Sequence, residues 1–211
     1  MDRIKKMNAF HLDILKEIGN IGAGHAANAL SKLIGQSIEM NVPSVKVVSF
    51  DEMTERVGGS ETVVVAIFLR VEGDVTGSMF FILSLNQASH LIKRLTGKKV
   101  SFDEPPYDEF AMSVLQETGN ILTGSYISSF ADFTKLNLQA SVPVIGIDMA
   151  GALLNDGLIE ISQSSDYAIM IDTVFLESPP SARDLKTHVL LLPDPDSFAT
   201  IFSALGVPIN G

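Results

Sequence analysis

The chain lacks cysteine and is poor in basic residues. Because none of its 211 residues is cysteine, disulfides, thiol nucleophiles and cysteine-ligated metals are excluded. Only 15 residues are lysine or arginine against 25 acidic ones, which gives a formal net charge of −10. A protein that wraps duplex nucleic acid must neutralise phosphates with basic side chains, so this charge argues against a nucleic-acid partner.

Long apolar runs are also missing. The densest runs, residues 63–69 and 79–83, suit buried strands and are far too short to cross a bilayer. Residues 1–6 are polar and do not resemble a signal peptide. With 46% hydrophobic and 19% charged residues, we expect a globular cytoplasmic protein without membrane insertion.

One segment of the chain is present twice, 100 residues apart. The first copy contains Asp13, Glu17, Asn20, Gly24 and Pro43, and the second contains Ser113, Glu117, Asn120, Gly124 and Pro143. Internal repetition of this kind reports a duplicated structural unit. We therefore expect two repeats, about residues 7–97 and 107–206, joined by a polar linker at 98–106, within one domain spanning residues 1–211.

The hydrophobic periodicity predicts an α+β fold. Long helices are expected at residues 10–34 and 107–133, and shorter helices at 51–57, 87–96 and 194–205. Strands are expected at 37–49, 61–71, 75–85, 136–147, 158–162, 167–176 and 186–192. The two long motif helices should pack against an antiparallel β-sheet layer with pseudo-twofold symmetry. The second repeat is longer by about nine residues, and we place this insertion at 146–157 or 178–184.

The repeated glycines and prolines have structural interpretations. Gly19, Gly22 and Gly24 of the first copy, and Gly119 and Gly124 of the second, lie inside the predicted long helices, where glycine is unfavourable. We interpret them as points of close approach between those helices. Pro43 and Pro143 are expected at a bend in a strand.

The glutamate and asparagine of each copy lie one turn apart on a narrow band of the predicted helix. Asparagine is a poor residue for a helix interior, so its presence at the same place in both copies favours a functional amide over a solvated helix flank. A carboxamide donates and accepts hydrogen bonds at once, so it can orient a water molecule for attack on a group carried by a partner. The neighbouring glutamate would contact a lysine or arginine of that partner.

The pattern Asp/Ser-x3-Glu-x2-Asn-x22-Pro resembles the signature of the CheC/CheX/FliY family of chemotaxis phosphatases. The match is complete in both copies, and two intact motifs in one chain resemble the CheC type. The resemblance covers nearly the whole chain.

This resemblance implies hydrolysis of the aspartyl-phosphate on the response regulator CheY. It implies that Asn20 and Asn120 orient the attacking water and that Glu17 and Glu117 pair with a lysine of the regulator. Asp13 and Ser113 would be partner contacts. The Mg²⁺ ion would belong to the regulator, so no metal site or cofactor is expected in this chain. The receptor deamidase CheD is a further implied partner, and a monomer is expected.

A non-catalytic alternative stays open at this point, namely an adaptor that binds CheD or the phosphorylated regulator. A flagellar-switch component is a weaker alternative. Other apparent motifs have ordinary explanations: Gly22-x-Gly24-x-x-Ala27 imitates a dinucleotide fingerprint inside a helix, without the strand that the fingerprint needs. The four histidines, His11, His25, His90 and His188, show no metal-ligand spacing and are interpreted as surface or packing residues.

Overall fold

The computed structural model describes residues 7–158, 167–176, 185–194 and 196–206. The helices are α1 (Ala9–Ile34), α2 (Phe50–Arg56), α3 (Leu85–Thr96), α4 (Glu109–Thr134), α5 (Ala150–Leu158) and α6 (Ser197–Ala204). The strands are β1 (Glu39–Ser49), β2 (Val63–Gly73), β3 (Gly77–Ser84), β4 (Leu138–Ala140), β5 (Val144–Met149), β6 (Tyr167–Leu176) and β7 (Leu185–Pro193).

The two long helices begin and end at sequence-encoded caps. The Asn8 side chain accepts a hydrogen bond from the backbone of His11 at the start of α1, and Asp108 accepts one from Ala111 at the start of α4. Gly35 ends α1 in the left-handed conformation, which glycine adopts without strain. Lys135 ends α4 in the same conformation at φ 59°. Both helices have 26 residues, so the repeat is preserved in length as well as in motif.

The strands form one antiparallel sheet of seven strands in the order β1-β6-β7-β3-β2-β4, with β5 also paired to β2. Strands β3 and β7 pair at the centre. The spatial order repeats on either side of this pair: β7 is flanked by β6 and then β1, and β3 is flanked by β2 and then β5. The predicted α+β fold with an internal duplication and two motif helices on an antiparallel sheet is confirmed.

The sheet is covered on both faces. The motif helices α1 and α4 pack along each other and over one face, where Leu15, Leu30, Leu115 and Phe81 belong to the large core. A smaller core lies with α2 and α5 on the opposite face. Each repeat therefore supplies one long helix to one face of the sheet and one short helix to the other face. The outward sides of α1 and α4 stay exposed to solvent.

The predicted helix-to-helix role of the glycines is correct at only one position. Gly22 meets α4, since a Cβ atom there would lie 3.1 Å from Tyr126 Cα. By contrast, no atom from outside the same helix, among the residues that the structure describes, lies within 4 Å of such an atom at Gly24 or Gly124, so their interpretation as contacts between the helices is wrong. Gly119 instead brings α4 onto the sheet, because a Cβ atom there would lie 2.7 Å from Ile67 Cγ2.

The predicted insertion at residues 146–157 is wrong. This segment completes β5 and forms most of α5, which starts 100 residues after α2 and therefore without any added residues before it. Ile171 faces Val45 as Ile67 faces Ile145, an offset of 104 residues, so the extra residues lie between the start of α5 and the start of β6. The predicted strand at 158–162 begins on the last residue of α5, and the rest of it lies outside the described residues. Residues 178–184, the other proposed insertion, also lie outside them.

A polar cluster breaks the symmetry between the two halves of the sheet. The Asp172 carboxylate accepts hydrogen bonds from His188 Nδ1, at 2.9 Å, and from Ser44 Oγ, and Lys46 Nζ lies 3.8 Å away. The equivalent cross-strand pair in the first repeat is Phe68 with Phe80, whose rings are 4.9 Å apart. Burial by itself raises the pKa of Asp172, but the bonds from His188 and Ser44 outweigh it and lower the pKa to about 2.

We predict that Gly119→Ala destabilises the fold and that Gly124→Ala does not. The added methyl group at position 119 collides with Ile67 in the core, and overpacking of this kind costs about 1–3 kcal/mol. At position 124 the methyl group meets open space and gains up to about 1 kcal/mol of helix propensity. Urea unfolding of both variants measures the difference, and equal free energies of unfolding would contradict the assigned contact with β2.

We predict that Asp172 stabilises the fold in a pH-dependent way. Its pKa in the folded protein, about 2, lies below the ordinary value of 3.8, so its contribution is complete above pH 5 and is lost as the pH falls toward 2. Wild type should therefore lose stability relative to Asp172→Asn between pH 5 and pH 2.5 in urea unfolding. A stability difference that stays constant over this range would refute the assignment.

Candidate functional site

The repeated polar residues lie on the outward sides of α1 and α4. Asp13 and Glu17 on α1 are exposed, and Asn20 is half-buried one turn further on. On α4 all three counterparts are exposed, namely Ser113, Glu117 and Asn120. The structure thus gives each repeat a Glu–Asn pair that a partner can reach.

In the first repeat the Asn20 carboxamide holds strand β1. Asn20 Oδ1 accepts a hydrogen bond of 2.8 Å from the backbone N–H of Val42. Its Nδ2 donates to the Val42 carbonyl at 3.4 Å and to the Lys16 carbonyl at 3.1 Å. Asn20 therefore binds both backbone groups of one residue in the strand.

A β-bulge in β1 explains why the backbone of Val42 takes its hydrogen-bond partners from a side chain. Asn41 faces Val174 and Ser44 faces Asp172, so Val42 and Pro43 together lie opposite a single residue of β6. Such a β-bulge interrupts the ladder of backbone hydrogen bonds, and proline has no N–H to offer it. Pro43 thus lies in a bulge next to the motif, and the Asn20 amide supplies partners for the residue before it.

In the second repeat the same segment is held differently. Val142 is 80% exposed, whereas Val42 is 1% exposed. The Pro143 carbonyl accepts a hydrogen bond of 2.6 Å from Gln116 Nε2. Within the described residues, the Asn120 carboxamide makes no hydrogen bond. The two motifs are therefore equal in sequence and different in hydrogen bonding.

An open groove of about 530 Å³ lies beside the second motif, between α4 and β5. Its lining residues are Met112, Ser113, Gln116, Glu117, Pro143, Val144 and Ile145. Sequence reasoning missed Gln116 because its counterpart is Lys16, and a search for repeated residues does not detect a side chain present in only one copy. The signal was the amide itself, one turn before Asn120 and on the side that faces the strand.

The other candidate residues have structural roles. His11 is buried and packs edge-on against Phe202, with ring centroids 4.8 Å apart. His25 Nδ1 lies 3.1 Å from Ser129 Oγ, which joins α1 to α4. No group of three or more potential metal ligands is found in the part of the chain that the structure describes. None of the helices described there is long and apolar enough to span a membrane.

The fold and the site together define a class: duplicated α+β proteins that carry a Glu–Asn pair on the outward side of each of two neighbouring helices over a common sheet. The model of the CheC-like family matches residues 10–47 and 110–147, the two segments that contain the motifs. The CheY-P phosphatase CheC of Bacillus subtilis is 46% identical over 199 residues, which cover 94% of this chain and 95% of that protein. The chain therefore belongs to the CheC-like family.

Solved structures support the same fold. The structure of Thermotoga maritima FliY matches with a TM-score of 0.73 and 17% identity over 95% of this chain and 98% of that one. The CheX–CheY–BeF3–Mg²⁺ complex of Borrelia burgdorferi matches with a TM-score of 0.52 and 16% identity over 82% of this chain and 96% of that one. The family predicted from the repeated motif is confirmed, as is its enzyme class, a phosphatase.

We predict that Asn20→Ala destabilises the fold while Asn120→Ala does not. Removing the Asn20 amide leaves the buried N–H and C=O groups of Val42 without partners, which costs about 1–3 kcal/mol. Asn120 is exposed and unbonded, and alanine is the better helix former. Urea unfolding at neutral pH compares the two variants. Equal losses of stability would contradict the difference in hydrogen bonding between the repeats.

Proposed function

We propose that this protein hydrolyses the aspartyl-phosphate of a CheY-type response regulator. The observation that carries the proposal is the Asn120 carboxamide, which is exposed and free of hydrogen bonds one turn from the exposed Glu117 carboxylate. Asn20 and Glu17 repeat the pair on α1. The relative from B. subtilis, named a CheY-P phosphatase, and the CheX relative solved with CheY support a regulator as the substrate.

The chemistry that these side chains offer is positioning rather than covalent catalysis. A neutral amide is neither a nucleophile nor a general base, but it can accept from and donate to a water molecule at the same time. An asparagine that enters the regulator's phosphorylation site would orient that water in line with the phosphorus atom. The phosphoryl group leaves the aspartate for the water oxygen, which regenerates the carboxylate and releases inorganic phosphate. An acceleration of about 100-fold needs only about 2.7 kcal/mol.

The glutamates suit the docking step. Glu17 and Glu117 are exposed carboxylates, each one turn before its asparagine, and can form an ion pair with a lysine beside the regulator's phosphate. The regulator would contribute the Mg²⁺ ion that neutralises the phosphoryl charge. In this division of labour the chain needs no metal or cofactor of its own.

The helix surface around each pair favours close docking. One turn after the asparagines, Gly24 and Gly124 present no side chain and nothing lies near them, so a partner can approach the helix there. Phe10 and Phe110 lie two turns before the glutamates and are 60% and 41% exposed. Exposed aromatic residues at equivalent places in both repeats supply apolar contact area beside the polar pair.

The second candidate is an adaptor that binds the phosphorylated regulator or the deamidase CheD without hydrolysis. Exposed glutamates and phenylalanines would serve such an adaptor equally well. Only hydrolysis requires a free carboxamide, so the unbonded Asn120 side chain favours the enzyme. We further propose that the chain acts as a monomer, because each Glu–Asn pair is complete within one chain.

We predict that the protein accelerates the decay of a phosphorylated CheY-type regulator in Mg²⁺ and that the double variant Asn20→Ala/Asn120→Ala does not. Release of inorganic phosphate from the purified phosphoregulator measures the rate. The double variant should still bind the regulator in a pull-down assay, because the glutamates are unchanged. The variant Glu17→Lys/Glu117→Lys is the matched comparison and should lose binding through charge repulsion.

If wild type binds the phosphoregulator without accelerating its decay, the phosphatase assignment of the site fails and the adaptor remains. If the phosphoregulator loses its phosphate as fast with the double asparagine variant as with wild type, the amides have no catalytic role.

A further inference from the structure

We propose that Gln116 is a positioning residue for the second site: it holds the strand segment that Asn20 holds in the first repeat, and so leaves Asn120 free to act. As a consequence, the second site carries most of the activity of the free protein. This inference rests on the proposed function above. It assigns a role to a residue outside the repeated motif.

The first step of the argument is the state of the Asn20 amide. Its two N–H hydrogens are directed to two carbonyl groups, those of Val42 and Lys16, and one lone pair of Oδ1 receives the Val42 N–H. In the proposed mechanism the amide must donate to the attacking water and accept from it at the same time. Asn20 has no donor left, so the first site acts only after its contacts to β1 are released.

The second step is the different packing below α4. Gly119 lies directly over Ile67 of β2, so closely that a Cβ atom there would be 2.7 Å from Ile67 Cγ2. Under Gly19 the nearest atom belongs to Val42, at 3.4 Å, and Ile171, the counterpart of Ile67, lies at 3.6 Å. In the first repeat, then, the valine before the proline shares the space under the helix with the isoleucine. In the second repeat the isoleucine lies closer to the helix glycine, and Val142 is turned out to solvent.

The third step is what holds the segment once its valine has turned outward. Ser141 exchanges hydrogen bonds with the backbone of Arg70, through its own N–H at 2.9 Å and its Oγ at 3.0 Å. Gln116 Nε2 donates to the Pro143 carbonyl at 2.6 Å. These two contacts anchor the segment at both of its ends. None of them uses the Asn120 carboxamide, which leaves both its donors and its acceptor available.

Lys16 occupies the position of Gln116 in the first repeat, and its backbone carbonyl accepts from Asn20. The hydrogen-bonding task has therefore moved by one helical turn, from Asn20 in α1 to Gln116 in α4. Gln116 binds the backbone of Pro143, directly before β5, and does not contact the substrate. It therefore acts on the reaction by leaving the Asn120 amide free of hydrogen bonds.

The experiment compares single-site enzymes made from the full chain. Phosphoregulator decay is measured with Asn120→Ala and with Asn20→Ala, and then with Gln116→Glu added to Asn20→Ala. Glutamate matches glutamine in shape but cannot donate to the Pro143 carbonyl. Lys16→Gln in the same Asn20→Ala background is the control, because it makes the same change in net charge at the equivalent position of α1.

We expect Asn120→Ala to lose at least five times more of the acceleration than Asn20→Ala. Gln116→Glu should lower kcat at least fivefold with less than a twofold change in KM, and Lys16→Gln should change neither by more than twofold. Nuclear magnetic resonance provides a readout independent of activity. The side-chain Nδ2 hydrogens of Asn20 should exchange with water more slowly than those of Asn120 in wild type, and Gln116→Glu should slow the Asn120 exchange.

Equal losses in the two single asparagine variants would overturn the inference, as would a Gln116→Glu enzyme that behaves like the Lys16→Gln control. A rise in KM with an unchanged kcat would assign Gln116 to docking and would also overturn the inference. If wild type shows no phosphatase activity at all, the proposed function fails instead. In that case equal exchange at Asn20 and Asn120 would additionally reject the structural part of the inference.

Discussion

The close approach of the two long helices to the sheet is the constraint on which the rest of this structure depends. Gly19 and Gly119 lie at the contact points with the sheet, and Gly22 lies where α1 meets α4. These contacts fix the distance between each motif helix and the chain segment that follows it, and so they fix where the Glu–Asn pair of that helix lies relative to this segment. The groove beside α4 and the bond from Asn20 to Val42 both arise at this junction of helix and strand.

The duplication repeats this junction without making it identical. In the first repeat a valine fits beneath α1, and its bulged backbone is bound by the motif asparagine. In the second repeat Ile67 lies closer to its helix glycine than its counterpart Ile171 does in the first, Val142 faces solvent, and Gln116 binds the segment instead. Similar exchanges occur elsewhere, as where the Asp172–His188 pair corresponds to a pair of phenylalanines. A tandem repeat can thus keep its fold while the two halves divide structural and chemical tasks.

Such a division suits an enzyme that works on a partner's own reactive group. The regulator would bring the aspartyl-phosphate and the metal, and this chain would add a carboxamide in the correct place. Catalysis of this kind depends on how freely an amide can turn toward a water molecule. In the proposed mechanism, the hydrogen bonds that the neighbouring segment makes to each asparagine, or does not make, would therefore determine how readily that amide can orient the water.

The order and type of nearly all elements could be predicted from the sequence, because helices and strands differ in the period of their apolar residues. The repeated Glu–Asn pairs were likewise visible in the sequence, as was the family. Helix α5 was missed, since it lies in a segment that looked like an insertion. Gly24 and Gly124 were assigned a contact they do not make, because a glycine's sequence position does not say what lies opposite it.

By itself, then, the sequence determined the duplication, the α+β class and the residues that form each polar pair, because these follow from local periodicity and spacing. Only the tertiary structure decided which asparagine is bonded and which is free. That distinction depends on long-range packing, namely how closely an isoleucine of the sheet approaches the helix glycine and whether the valine before the proline also fits there. It depends as well on an amide at position 116 that reaches the carbonyl of Pro143, 27 residues away.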